Sequence, residues 1–370
     1  MKNKSFQLLS AIAIILVVFG HSKNSLLLFG TIFPFYSFHM ALFAFISGYF
    51  FKNQNFIFYV KKKTKKLLIP YFLYRFFYAF VIFSLMSLNI INFGEKITLY
   101  NLFIAPFTTT GNQYFFNVAS WFVLAIYFVQ LINLAIYKCL FKFNEKTRDI
   151  IIAIIYLILW NVMFKFDNTG IFYTINRVLF LLPFYHFGFL YKKYLEKYDN
   201  VCNFVYFSIL FIIQAILFQL SNGNLNYNLN LLYFNNYFYI HFLSSLTGIM
   251  FWLRISKVLS KFIDNKYYSV IGDNTFCIMM NHMFCIFLTN FFVVVLYFIN
   301  IKTINFNLSF INDEVVCQFR NSMWFLFASK NTVVCLIYGI IGVMLPILIK
   351  QKLCKLKKSF NDKKYSDVKL

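Results

Sequence analysis

Long apolar runs alternate with short polar breaks along the whole chain. Runs bounded by charged or Gly/Asn-rich interruptions fall near 6–23, 33–51, 67–91, 116–137, 150–166, 173–191, 202–220, 236–253, 269–298 and 331–349. Most are long enough to cross a hydrocarbon core of about 30 Å as a helix, and the run at 150–166 is the shortest. Lipid offers the backbone no hydrogen-bond partner, so spans of this kind are helical. The expected fold class is therefore an all-α polytopic membrane protein, a bundle of about ten transmembrane helices. The first run, Ser5 to Ser22, has no small-x-small site after it and reads as a retained anchor, not a cleaved signal peptide.

Charge orients the bundle. With the N-terminus inside, 27 of the 35 Lys and Arg residues fall in inner segments and six in outer loops; Arg75 and Arg177 lie within spans. By the positive-inside rule this places both termini in the cytoplasm. The expected organisation is one transmembrane domain, 1–350, followed by a basic cytoplasmic tail, 351–370. The net charge of +23 is then a topology signal, since the basic clusters sit at helix ends, where they meet anionic headgroups. A nucleic-acid surface would gather them on one soluble face, so no nucleic-acid partner is expected.

Composition agrees: 61% of residues are hydrophobic and 13% charged, with a mean hydropathy of +0.67. A soluble domain carries about 25% charged residues. The seven cysteines (Cys139, Cys202, Cys277, Cys285, Cys317, Cys335 and Cys354) show no CxxC spacing, and neither a disulfide framework nor a metal site is expected. The longest outer loops, near 92–115 and 299–330, are too short to fold alone, so any chemistry must come from the bundle.

His21 closes the run AIAIILVVFGHS at the outer end of the first span. Ionisable groups within the bilayer read by default as functional, although an interfacial histidine bonded to a neighbouring helix also fits the position. Ser10, eleven residues earlier, lies within about 20° of the same helix face. His39 opens FHMALFAFISG at the outer end of the next, antiparallel span, at the depth of His21. In IGDNTFCIMMNH, at 271–282, Asn274, Cys277, Asn281 and His282 share one helical stripe, suited either to a cavity or to interhelical hydrogen bonds. Arg177 opens RVLFLLPFYHFG, in which Pro183 is expected to kink the helix and His186 lies off the Arg177 face. Arg75 lies about two turns into the third span, behind the lysine run at 61–66 that includes Lys65 and Lys66. A guanidinium suits phosphate or carboxylate recognition.

In this order, AIAIILVVFGHS, FHMALFAFISGYFF, the basic stretch ending in LLIPYF, the Ser120-Trp121-Phe122 step, the segment from Arg177 to Gly188 and IGDNTFCIMMNH resemble the acyltransferase-3 family of integral-membrane acyltransferases, which includes bacterial polysaccharide O-acetylases. The resemblance covers most of the chain. It implies a bundle of about ten helices in the bacterial cytoplasmic membrane. It also implies an acyl-CoA donor, most often acetyl-CoA, used without a metal, and a sugar hydroxyl of a cell-envelope or lipid-linked glycan as acceptor. His21 matches the histidine of the family's Arg-x10-His motif, and His39 the histidine entering the second helix. The motif arginine is replaced by Ser10, which carries neither its charge nor its bidentate fork.

On this basis His21 is expected to act as general base or as a transient acyl carrier, with His39 beside it, since an imidazole pKa near 6.5 suits either role. Arg75, Lys65 and Lys66 are expected to hold the CoA phosphates, with Gln7 a further substitute for the missing arginine. Trp121, Arg177, Asn274, Asn281 and His282 are expected to line or shape the cavity. The competing readings are a glycan transporter or flippase that uses its histidines as proton relays, and a family member that has lost catalysis through Ser10.

Overall fold

Asn3 accepts a hydrogen bond from the Phe6 N–H and starts α1, Lys4–His21. The computed structural model describes residues 3–22, 32–110, 113–235, 237–303, 312–327 and 331–367. A 3-10 turn, Phe35–Ser37, leads into α2, His39–Tyr49. The helix α3, Phe56–Lys63, runs through a π-helical turn into α4, Ile69–Ser87. A short α5, Ala105–Thr108, precedes α6, Trp121–Cys139, then α7, Glu145–Val162, α8, Phe172–Leu190, and α9, Asn203–Leu220. A two-stranded hairpin, β1 Tyr227–Asn228 with β2 Tyr233–Phe234, comes before α10, Phe238–Leu259. The chain closes with α11, Asn265–Gly272, α12, Thr275–Thr303, α13, Asp313–Asn321, and α14, Thr332–Asp367.

The all-α polytopic expectation is met: among the described residues, seven helical segments are long and apolar enough to cross a membrane. The apolar α2 has only 11 residues. Charges at Glu145, Lys146, Arg148 and Asp149 lower the hydropathy of α7, and Asn176, Arg177 and His186 lower that of α8. Lipid-type surface is evident on α4, where Leu73, Phe76, Phe77, Phe80 and Phe83 are exposed, and on α9, where Phe204, Ile209, Ile212 and Ile216 are exposed. Apolar belts of this size on a soluble chain would drive association.

Two boundaries differ from the sequence expectation. The span read at 269–298 is two helices, α11 and α12, interrupted at Asp273 and Asn274. The tail drawn at 351 continues α14 as helix through Asp367. Lys2, Lys23, Lys330 and Lys369, counted in the charge asymmetry, lie outside the described residues.

The site is positioned by α1, which packs against α2, α10, α11, α12 and α14. In turn α2 crosses α8 at backbone contact. A Cβ on Gly48 would meet the Tyr185 carbonyl oxygen at 1.7 Å, and one on Gly188 the Phe45 carbonyl oxygen at 2.0 Å. Small residues at a crossing let helix backbones approach, which is how apolar helices gain contact without a hydrophobic driving force. The helix α8 runs through Pro183 without a break. Buried carboxylates near the lysine-rich end are paired: Asp149 accepts from Lys193 at 2.7 Å and Tyr194 at 2.8 Å, and Asp199 accepts from Arg254, from Lys257 at 2.9 Å and from Tyr191 at 2.5 Å.

Candidate active site

Residues 10, 14, 17 and 21 follow the spacing of a single helix face, and that face of α1 lines two cavities in succession. One, of about 680 Å³, lies at the lysine-rich end and is lined by Ser10 and Ile14 of α1, Ser47 and Phe50 of α2, Lys52, and Lys62, Lys63 and Lys66 around the α3–α4 turn. The other, of about 360 Å³, lies toward the opposite end and is lined by Ile14, Val17 and His21, by Tyr36 and His39, by Trp121, and by residues 227–231 of the hairpin. The two share Ile14, Phe43 and Met279.

His21 has a defined partner. Its Nδ1 lies 2.8 Å from Nε2 of His282, a wholly buried residue of α12. The rings are 14° from parallel with centroids 5.0 Å apart, so they sit edge to edge. His282 Nδ1 lies 3.0 Å from the carbonyl oxygens of Ile278 and Met279. A carbonyl only accepts, so His282 Nδ1 carries the proton and its Nε2 accepts from His21 Nδ1–H. The remaining His21 nitrogen, Nε2, then carries the lone pair and has no hydrogen-bond partner among the described residues. His39 follows the same logic: Nδ1–H donates to the Phe35 carbonyl at 2.7 Å, leaving Nε2 as the acceptor nitrogen at the cavity wall. Two imidazoles, from α1 and α2, thus border one chamber, each with Nε2 as its acceptor nitrogen.

Basic nitrogens of fixed tautomer, a chamber beside them and a second chamber with a cationic mouth are the parts a group-transfer site needs. Residues 3–349 match the family described as an acyltransferase domain. The chain belongs to the acyltransferase-3 family. Neither the curated proteins nor the solved structures contain a significant match to it.

The other expected site residues of this acyltransferase separate into three groups. Trp121 and Arg177 act together at the far chamber: Trp121 lines it, and the Arg177 guanidinium lies 5.2 Å from the Trp121 ring. Arg177, 1% exposed, donates to the backbone oxygen of Asn230 at 2.5 Å and to its side-chain oxygen at 2.9 Å. Asn230 belongs to the hairpin that walls the chamber, so Arg177 fixes that wall.

Lys66 borders the near chamber, whereas Lys65, one position along the turn, points to solvent and does not line it. Arg75 lines neither chamber. Its guanidinium, also 1% exposed, donates to the carbonyls of Asn101 and Leu102 and to Gln113 Oε1, and lies over the Tyr114 ring. It ties α4 to the segment before α6, because the packing of α4 turns that face toward residues 101–114.

Asn274 and Asn281 also lie outside both chambers. Tyr78 donates to Asn281 Oδ1 at 2.7 Å and Asn281 Nδ2 donates to the Cys277 carbonyl at 2.7 Å, an α4–α12 tie. Asn274 accepts from Lys350 of α14 at 2.6 Å. Gln7 donates to Asp273 at 2.8 Å, and the Ser10 hydroxyl donates to the Phe6 carbonyl at 2.8 Å. His186 donates to the Asp149 carbonyl at 2.9 Å, well away from Arg177.

Sequence reading missed Trp324, whose ring lies 5.8 Å from that of His21, together with Tyr36, Asn230 and Lys52, and from the lysine run at 61–66 it named Lys65 and Lys66 where Lys62, Lys63 and Lys66 line the chamber. Trp324 is one of only four tryptophans and stands between two apolar runs, which is a usable signal. The hairpin asparagines are lost among the many asparagines of the segment NGNLNYNLNLL.

Proposed function

We propose that this membrane acyltransferase moves an acetyl group from cytosolic acetyl-CoA to a sugar hydroxyl of a cell-envelope or lipid-linked glycan, at a bacterial cytoplasmic membrane. The supporting observation is the His21–His282 pair beside one chamber, with a lysine-rimmed second chamber adjoining it. Lys52, Lys62, Lys63 and Lys66 suit the phosphates and draw an anionic donor from the basic side. They stand in for the arginine that Ser10 replaces.

His21 Nε2 takes the proton of the acceptor hydroxyl as its oxygen bonds to the thioester carbon. The carbon–sulfur bond breaks, and His21 returns the proton to the departing sulfur. His282 accepts from His21 Nδ1 throughout, holding the tautomer and spreading the transient positive charge. His39 Nε2 is placed to orient the acceptor, and Arg177 with Trp121 and Asn230 shapes its chamber.

In the proposed topology, α2, α7 and α8 join the seven long apolar segments to give ten spans with both termini cytoplasmic. Residues 1–350 then form the transmembrane domain, and 351–370 a basic cytoplasmic extension. The test is His21→Ala in the native host, with mass spectrometry of the envelope glycan. Loss of acetyl groups from an otherwise intact glycan, with the variant still inserted, is the expected result. Full acetylation in that variant removes His21 from the mechanism, and loss of the whole glycan on gene deletion favours transport.

A further inference from the structure

The two chambers meet at three side chains from three helices: Ile14 of α1, Phe43 of α2 and Met279 of α12. Ile14 is fully buried, and Phe43 and Met279 pack against the apolar cluster it belongs to. Phe43 and Met279 stay half-buried in the middle of the bundle, because their free faces border the chambers. Phe43 is backed by Phe122, with ring centroids 5.9 Å apart. Among the described residues no polar side chain is shared by the two chambers, although polar groups line each one away from the junction.

We propose that Ile14, Phe43 and Met279 form a side-chain gate between the donor chamber and the His21 chamber, and that this gate restricts the transferred acyl group to short chains. The inference rests on the donor assignment above and names the property that assignment leaves open, the size of the acyl group. Ile14 lies seven residues from His21 on the same face, about 10 Å along the helix axis. A thioester entering from the lysine-rich mouth must therefore thread the junction to reach the imidazole.

An apolar junction passes a slender uncharged arm while the phosphates stay with the lysines, and it keeps water away from the reacting carbonyl. Met279 is the part that yields, since an unbranched thioether changes rotamer easily. β-Branched Ile14 and ring-backed Phe43 are stiffer. Beyond the junction, a longer acyl chain must share about 360 Å³ with the acceptor. Crowding of this kind discriminates by roughly 10- to 200-fold per methylene in a close-fitting apolar site.

Two measurements on the full-length protein test the gate. In transfer assays with acetyl-, butyryl- and hexanoyl-CoA, the wild type is expected to lose rate by roughly tenfold or more on going from acetyl to butyryl. Met279→Ala and Ile14→Ala are expected to raise the butyryl-to-acetyl ratio by about the same factor. An unchanged ratio in both folded variants overturns the proposal.

Independently of transfer, Val17→Cys places a thiol in the His21 chamber. In inverted vesicles, labelling of that peptide by an impermeant thiol reagent, read by mass spectrometry, is expected to quicken with Met279→Ala and slow with Met279→Trp. Equal rates in all three backgrounds overturn the gate. If no CoA thioester supports transfer by the wild type, the donor assignment fails, and the labelling rates still decide whether the junction is a gate.

Discussion

His282 accepts the Nδ1 proton of His21 across the α1–α12 contact at 2.8 Å, and its own Nδ1 proton is held by the Ile278 and Met279 carbonyls. The chain of donors runs in one direction only, so which His21 nitrogen carries the lone pair is set by backbone carbonyls two hydrogen bonds away. His282→Ala removes the acceptor and frees the imidazole to adopt either tautomer. Transfer is expected to fall by about 10²- to 10⁴-fold with the fold retained, measured as thiol release from acetyl-CoA. An unaltered rate would show that tautomer control is not needed.

Arg177 holds the hairpin wall through two oxygens of one residue, Asn230. One guanidinium nitrogen, Nη2, makes both bonds while the planar group lies against the Trp121 and Tyr173 rings, a placement the flexible ammonium of lysine does not reproduce. Arg177→Lys is expected to displace the wall and lower kcat/KM for the acceptor by about 10²-fold, as a shift on the order of 1 Å in a positioned group does. KM for acyl-CoA is expected to stay near its wild-type value, because the donor chamber does not include the hairpin.

The lysine mouth makes an ionic-strength prediction. Lys52, Lys62 and Lys66 are exposed, and their attraction for a donor phosphate is screened by salt over a Debye length of about 10 Å at 0.1 M. KM for acyl-CoA is expected to rise with added salt. The triple variant Lys62→Ala, Lys63→Ala, Lys66→Ala is expected to raise KM about tenfold at low salt and to flatten the salt dependence, with kcat little changed. A wild-type KM indifferent to salt would count against the donor site.

At the α2–α8 crossing, Gly48→Leu brings a side chain into the Tyr185 backbone, where even a Cβ would stand 1.7 Å from the carbonyl oxygen. Separating the helices is expected to cost on the order of 3 kcal/mol. Thermal unfolding in detergent is expected to show a clearly lowered midpoint for Gly48→Leu and Gly188→Leu. A substitution to leucine outside any helix crossing, Phe204→Leu on the exposed face of α9, is expected to leave the midpoint unchanged.

The all-helical membrane class was legible because an apolar run of fixed length admits one backbone solution in lipid, and α9 begins and ends within a residue of the sequence reading. The placement of Ser10 and His21 on one stripe was legible too, since the helical period fixes it once the helix is granted. His39 lines the same chamber as His21, and its place at the start of the span after α1 had already marked it as a candidate neighbour.

Only the tertiary structure decided which members of each polar set meet. His282 was one of several polar residues on its stripe, and it pairs with His21 while Asn281 turns to Tyr78. Arg75 lies close in sequence to the lysines of the mouth, yet its carbonyl partners come from residues 101 and 102, because the rotation of α4 about its axis is fixed by packing and not by its own sequence. The two chambers and the junction between them are properties of several helices at once, and no periodicity along a single helix encodes them.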